Sequence, residues 1–453
     1  MKAGDLVDIT AHGVCDALAA VRDGRTSAEE LVRGCLARIR ADEARVQAWA
    51  FLDEAYALEQ AKAVDQVRKE GRPMGPLHGL PVGVKDIIDT QDMPTEDGTV
   101  LHAGRQPLSD AAVVERLRQA GAIIIGKTVT TELATYSPGK TRNPHNPEHT
   151  PGGSSSGSAA AVAACMVPGA IGTQTNGSVI RPAAFCGVYG YKPTFGLISR
   201  HGILRQSRPL DQVGLMARSV EDLAVLAEPL MGYDERDPDT VRGARPQLLQ
   251  VALGEPPFPP KFALAKTPNW NDADGQTREA FDELAQALGE QCAVFNVPGV
   301  VGQAWEWHRT VMEADLARSF HHEYDDGRER LSESLRSQIE RGQRVSAVDY
   351  NNAVDRIGTV AGSFDEVFDR YDAILTPAAP GTAPRGLEAT GSPAFCTLWT
   401  FAGMPAVTLP LMQGEDGLPM GVQLVGRRGD DARLLRTARW LAQWTAALDA
   451  GRQ

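Results

Sequence analysis

The chain has 453 residues, 42% of them hydrophobic, enough apolar material for a large buried interior. It carries 46 Lys+Arg against 58 Asp+Glu, a net charge of −12 with no basic block, which argues against nucleic acid or an anionic membrane as a partner. No stretch approaches about 18 uninterrupted apolar residues, and the opening MKAGDLVDITAHG lacks an apolar leader core, so the expectation is a cytoplasmic protein with no membrane association.

In chain order, the first ~60 residues have a helical pattern. Thr26-Ser27 followed by Glu29-Glu30 reads as an N-cap and capping box before LVRGCLARIR. LPVGVKDII and AIIIGKT are short β-branched runs, read as buried strands, and DAAVVERLRQAG between them has helical periodicity. That strand–helix–strand unit predicts a partly parallel sheet. Residues 137–153 are a polar, proline-rich loop, and SGSAAAVAACMV after it reads as a buried helix opening in a Gly/Ser cluster. ARSVEDLAVLAEPL is a further capped helix. Residues 234–350 are more charged, with helical runs and few strand signals. Strand character returns in YDAILTPA, AVTLPL and GVQLVG, and DARLLRTARWLAQW closes the chain as an amphipathic helix. The expected fold class is α/β: one large domain, 1–453, with a central mixed β-sheet flanked by helices and a helical, variable insert at 234–350.

Six cysteines (15, 35, 165, 186, 292 and 396) stand without a C-x-x-C pair, as expected of reduced, mostly buried thiols. His145 and His149 are four apart but lie among prolines, where no helix can use the spacing, and His321-His322 sits in a charged helical run. Neither makes a metal site, so no metal and no cofactor is expected. Trp305, Trp307 and Trp399 are read as core or pocket wall.

Residues 151–194, PGGSSSGSAAAVAACMVPGAIGTQTNGSVIRPAAFCGVYGYKPT, place hydroxyls in two glycine-rich settings, Ser154-Ser155-Ser156 and Ser178. Upstream, Lys85 stands alone in the apolar run PVGVKDIID. Glycines admit close backbone approach, and bare hydroxyls beside a desolvated lysine make a nucleophile-plus-base set. GGSSSGS, GTQTNGSVIRPAAFCG and YKPTFGLISRHG together resemble the signature region of the amidase signature family of Ser–Ser–Lys amide hydrolases. LPVGVKD, DAILTPAAP and AGMPAVTLPL…GLPMGVQLVG extend the resemblance from about residue 25 to about 445.

The resemblance implies Ser178 as nucleophile, Ser154 as bridging serine after a cis Gly153–Ser154 bond, and Lys85 as terminal base. It also implies an oxyanion hole of backbone amides at Thr175, Asn176, Gly177 and Ser178. Lysine serves as a base only when neutral, which its burial in a valine-flanked strand favours. Asp86 opposes that, but strand alternation turns it to the other face. Ser155 and Ser156 are expected to hydrogen-bond the site, with Ser156 beside Lys85. GSSSG also satisfies the G-x-S-x-G elbow pattern around Ser155, yet EHTPGG before it is no strand and no acid–histidine pair follows.

Two positions depart from the commonest family form. Asn176 replaces the first of two glycines, and Arg181 lies three rather than two residues past the nucleophile. The SVIRP spacing resembles the malonamidase-like branch, in which the arginine grips a substrate carboxylate. A structural ion pair holding the loop is the alternative, and the sequence leaves both open. The implied activity is hydrolysis of a small amide through a Ser acyl-enzyme, the amide bearing a carboxylate if Arg181 binds substrate. The expected assembly is a homodimer whose only partner is that substrate. The alternative is the glutaminase subunit of a tRNA-dependent amidotransferase complex, which shares the triad.

Overall fold

A computed structural model describes residues 13–452, which form one 11-stranded mixed sheet with helices on both faces. The opening MKAGDLVDITAHG lies almost wholly outside these residues. The strands are β1 Trp49–Leu52, β2 Pro81–Lys85, β3 Ile123–Thr128, β4 Gly169–Gln174, β5 Tyr189–Lys192, β6 Gln212–Ala217, β7 Phe262–Ala265, β8 Cys292–Phe295, β9 Ala373–Pro377, β10 Ala406–Gln413 and β11 Pro419–Val425. Their spatial order is β1-β3-β2-β4-β6-β5-β10-β11-β9-β7-β8. β3, β2 and β4 run parallel, as do β9, β7 and β8, and antiparallel pairs join the two groups.

The helices that frame the site and the sheet are α1 Ala28–Val46, α2 Ala112–Gln119, α3 Ser156–Ala163, α4 Ile180–Phe185, α5 Val220–Ala227, α6 Ala304–Ser319, α7 His321–Gly327, α8 Ala394–Phe401 and α9 Asp431–Arg452. Ser27 caps α1 in the capping box read from the sequence, its side chain accepting from the Glu30 N–H while Glu30 reaches back to the Ser27 N–H. β2, α2 and β3 form the predicted parallel unit, Val82 pairing with Ile124. In α9, Leu434, Leu435, Ala438 and Leu441 supply the buried stripe.

Two differences from the sequence reading are informative. β1 interrupts the N-terminal helices and pairs with β3 as a sheet edge, although four residues of WAFL carry no alternation to betray it. Residues 234–350 contribute β7 and β8 besides their helices. These strands are also four residues long, and FALA lacks the β-branched content that marks a strand.

Side-chain alternation explains how the sheet presents its chemistry. Ile123 and Ile125 pack on one face with α1 and α3, whereas Ile124 packs on the other with α2, α5 and α9. Val82 and Val84 of β2 share the Ile124 face. Lys85, the next residue, therefore turns to the α3 face, where the serine cluster lies.

An ionic clamp ties the 234–350 segment to the first half of the chain. His102 Nδ1 lies 2.8 Å from Asp97 Oδ2 and its Nε2 lies 3.1 Å from Glu323 Oε1 on α7. Hydrogen bonding to Asp97, then to Glu323, pushes the imidazole up to about 9. A histidine whose pKa rises on folding stabilises fully below its ordinary value near 6.5 and loses that contribution as pH rises through about 9. Melting temperatures of the wild type and His102→Gln should therefore differ most at about pH 6 and converge by about pH 10. A gap independent of pH would remove the imidazolium from the clamp.

Candidate active site

Lys85 ends β2 with its side chain fully buried, Nζ lying 2.7 Å from Ser154 Oγ and 2.9 Å from Thr173 Oγ1. Burial holds this lysine well below the usual ammonium range, opposed by the negative charge of Asp211. Asp86 points away and pairs with Lys127 at 3.3 Å, so the carboxylate that bears on Lys85 is Asp211 and not its chain neighbour. Burial raises Asp211 to about 6, while hydrogen bonds from the Thr175 hydroxyl (2.7 Å) and the backbone N–H groups of Gln206 and Ser207 (2.9 Å each) oppose the rise.

Ser154 follows Gly153 across a cis peptide bond just ahead of α3. Ser155 is the joint between this segment and β4. Its Oγ donates to the Thr173 carbonyl at 3.1 Å and accepts from the Thr173 N–H at 3.2 Å, and its N–H donates to the Ser178 carbonyl at 3.3 Å. Gly172 makes that joint possible, because a Cβ there would lie 2.6 Å from Ser155 Oγ. Ser156 does not reach Lys85. Its hydroxyl donates to the Val129 carbonyl at 3.3 Å, turned away as the first residue of α3, and Thr173 takes the place beside the lysine.

Ser178 sits in the turn between β4 and α4, 9% exposed. The turn is braced on all sides. His308 Nε2 donates to the Thr175 carbonyl at 2.9 Å, the Thr400 hydroxyl to the Asn176 carbonyl at 2.6 Å, and the Arg181 N–H to the Gly177 carbonyl at 3.0 Å. The Asn176 side chain lies between the Tyr136 hydroxyl (2.8 Å) and the Thr397 hydroxyl (2.7 Å). It therefore adds a polar wall to the turn. Gly177 is needed for packing, since a Cβ there would lie 2.9 Å from Pro393 and 3.2 Å from Cys396 of α8.

Arg181 is buried, and it forms no ion pair among the described residues. Its Nη2 donates to the Gly153 carbonyl at 2.7 Å and the Thr390 hydroxyl at 3.1 Å, while Nε and Nη1 have no partner. The expected alternative of a structural ion pair is thus absent, although the guanidinium does hold the carbonyl preceding Ser154. A cavity of about 490 Å³ opens beside Asn176, walled by Tyr136, Trp305, His308 and Gln338. Trp305 anchors there by donating to the Ala394 carbonyl at 2.9 Å, and Trp399 is core against Phe364.

The fold brings Lys85, Ser154, Ser155, Ser178 and the 175–178 turn to one place. Sequence reasoning missed Thr173, Asp211, Tyr136, His308 and Thr400. Thr173 alone carried a signal, being two residues before Thr175 in the same motif. The others arrive from distant elements and become neighbours only through the fold.

A buried lysine against a serine, a second serine in a braced turn and a cavity beside it make a constellation suited to acyl transfer, and the comparisons place the chain among enzymes acting on amide C–N bonds. The model of the family described as Amidase matches residues 30–435, and the chain belongs to that family. The chain is 35% identical over 466 residues to the A subunit of the glutamyl-tRNA(Gln) amidotransferase of Chloroflexus aurantiacus, covering 93% of this chain and 94% of that one. It is 36% identical over 464 residues to the same subunit of Symbiobacterium thermophilum, covering 93% and 94%.

Among solved structures, the peptide amidase of Stenotrophomonas maltophilia superposes with a TM-score of 0.82 at 30% identity, covering 96% of this chain and 97% of that one. A chain from an unexpected vestigial protein complex that reveals the origins of an s-triazine catabolic enzyme gives 0.89 at 27% identity, covering 96% and 98%. These relatives correct the expectation of a homodimer partnered only by its substrate and remote from nucleic acid. The curated relatives are subunits of a larger enzyme that acts on a glutamyl-tRNA. Composition misled because a net charge describes one chain and says nothing of an assembly. No helix of the described residues is long and apolar enough to cross a membrane.

Proposed function

We propose that the chain is the amide-hydrolysing subunit of an amidotransferase-type complex, releasing ammonia from a carboxamide that also bears a carboxylate, glutamine being the leading case. The observation that carries the chemistry is the buried Lys85–Ser154 contact beside the turn that holds Ser178. Ser178 Oγ attacks the amide carbonyl, and its proton passes through Ser154 to neutral Lys85. The tetrahedral oxyanion collapses, the C–N bond breaks, and the nitrogen leaves as ammonia with a proton returned along the same path. Water then attacks the acyl-enzyme by the same route, giving the free acid and restoring Ser178. Ser178 Oγ forms no side-chain hydrogen bond among the described residues, and the proton path requires it to meet Ser154 in the substrate complex.

The partner side of the proposal is supported by subunit relatives matched over nearly their whole length, and by a structural neighbour that was itself found in a protein complex. The substrate side is supported by Arg181. A buried guanidinium whose Nε and Nη1 are unpaired, with no counter-carboxylate among the described residues, is costly unless an anion offsets its charge.

The test is ammonia release from glutamine and from an uncharged primary amide, by the chain alone and with the other subunits of a related amidotransferase. Both amides should share whatever loss comes from freeing the Gly153 carbonyl, and Arg181→Met should raise KM for glutamine by about a further tenfold or more over the uncharged amide, the loss of one charge-assisted contact. Equal losses on both amides would make Arg181 structural. Full glutaminase activity with no binding to the other subunits would overturn the subunit reading.

A further inference from the structure

We infer that His308 and Thr400 are positioning residues that aim the backbone N–H groups of the nucleophile turn at the reacting carbonyl oxygen. The inference rests on Ser178 as nucleophile but on no particular amide. In a trans peptide unit the C=O of one residue and the N–H of the next point in opposite directions. Fixing a carbonyl on the outer side of the turn therefore fixes the following N–H on the inner side. His308 holds the Thr175 carbonyl and so sets the Asn176 N–H, and Thr400 holds the Asn176 carbonyl and so sets the Gly177 N–H. The Arg181 N–H on the Gly177 carbonyl does the same for the Ser178 N–H. None of these three N–H groups donates to another protein group among the described residues. Three successive amides are thus aimed and left available, the arrangement that stabilises a developing oxyanion.

Both braces come from outside the Gly/Ser motif. His308 belongs to α6 and is 1% exposed. Burial drives its imidazole down to about 4, so it stays neutral in the working range, and the Thr175 carbonyl requires that the proton sit on Nε2. Thr400 belongs to α8 and is itself oriented by Gln174, whose Nε2 donates to its hydroxyl at 2.9 Å. The Gln174 side-chain oxygen accepts from the Val179 and Ile180 N–H groups at 2.8 and 3.0 Å, closing the brace on the far side of Ser178. The 234–350 segment, which carries α6, thereby reaches the reaction through one imidazole.

The test compares His308→Leu, which lacks a donor, with His308→Gln, whose side-chain N–H₂ can take the place of Nε2–H. Thr400→Val serves as an independent second variant. Two rates are read with melting temperature as control: kcat and KM for ammonia release, and labelling of Ser178 by a fluorophosphonate. Labelling forms an O–P bond with loss of fluoride, places the phosphoryl oxygen where the oxyanion would sit, and needs no knowledge of the natural amide. His308→Leu and Thr400→Val should each lower kcat and labelling rate by about 10- to 100-fold with KM within about twofold, since mis-aimed oxyanion donors cost on that scale. His308→Gln should recover most of the loss. Labelling of His308→Leu and Thr400→Val at the wild-type rate would overturn the inference, as would a Gln variant no faster than Leu at equal melting temperature. A wild type that labels at Ser178 yet releases no ammonia from any amide would count against the substrate reading alone, and the labelling comparison would still decide the role of His308. A wild type that does not label at Ser178 would sink both.

Discussion

Ser178→Ala should lower kcat for amide hydrolysis by about 10⁴- to 10⁶-fold while leaving KM and the melting temperature nearly unchanged. The substitution removes one oxygen that bonds no other side chain among the described residues, so the fold loses little. The carbonyl of Ser178 still accepts from the Ser155 N–H, and the turn stays braced at Thr175, Asn176 and Gly177. Residual activity above the uncatalysed rate is expected from those aimed amides, as in other enzymes stripped of a nucleophile. Steady-state ammonia release, set beside substrate affinity from calorimetry, checks it. Retained turnover would move the nucleophile elsewhere.

The second large effect is at Lys85. Lys85→Met removes the base but keeps the buried volume, and kcat should fall by about 10²- to 10⁴-fold, the usual contribution of a positioned general base. Lys85→Arg should be no better, because a guanidinium stays protonated at any working pH. The sign of the pH dependence follows from the chemistry. Only the neutral amine accepts the Ser154 proton, so kcat/KM of the wild type rises with pH through the depressed Lys85 pKa and then levels off. Asp211 favours the charged form. Asp211→Asn should therefore shift the rising limb to lower pH, even though the same change weakens the hold on Thr175. A limb that does not move, or moves upward, would remove Asp211 from the electrostatics of the base. pH–rate profiles of the three variants read all of this directly.

What was legible in the sequence and what was not divides by range along the chain. The capping box at Ser27–Glu30, the β2–α2–β3 unit and the buried α3 rest on residues within a turn or two of each other, and local periodicity exposes them. Lys85, Ser154 and Ser178 stood out because glycine-rich punctuation and a lone charge in an apolar strand are local anomalies too. Asp211, Thr400 and His308 carry no such mark. Each is an ordinary residue in an ordinary setting, and its role depends on a neighbour 36, 224 or 133 positions away. Ser156 shows the opposite error. Its place in the motif suggested a partner for Lys85, yet as the first residue of α3 it points to Val129, and strand β4 supplies Thr173 instead. Oligomeric setting was the least legible, since it depends on surfaces and partners that a composition averages away.

The central claim is that amide cleavage passes through an ester on Ser178, and the most direct measurement is rapid-quench intact and peptide mass spectrometry of the enzyme turning over glutamine. A transient glutamyl adduct is expected on the peptide bearing Ser178, formed at least as fast as kcat, absent from Ser178→Ala and formed more slowly in Lys85→Met. Steady turnover with no adduct on any residue, or an adduct on Ser155 that persists in Ser178→Ala, would contradict it.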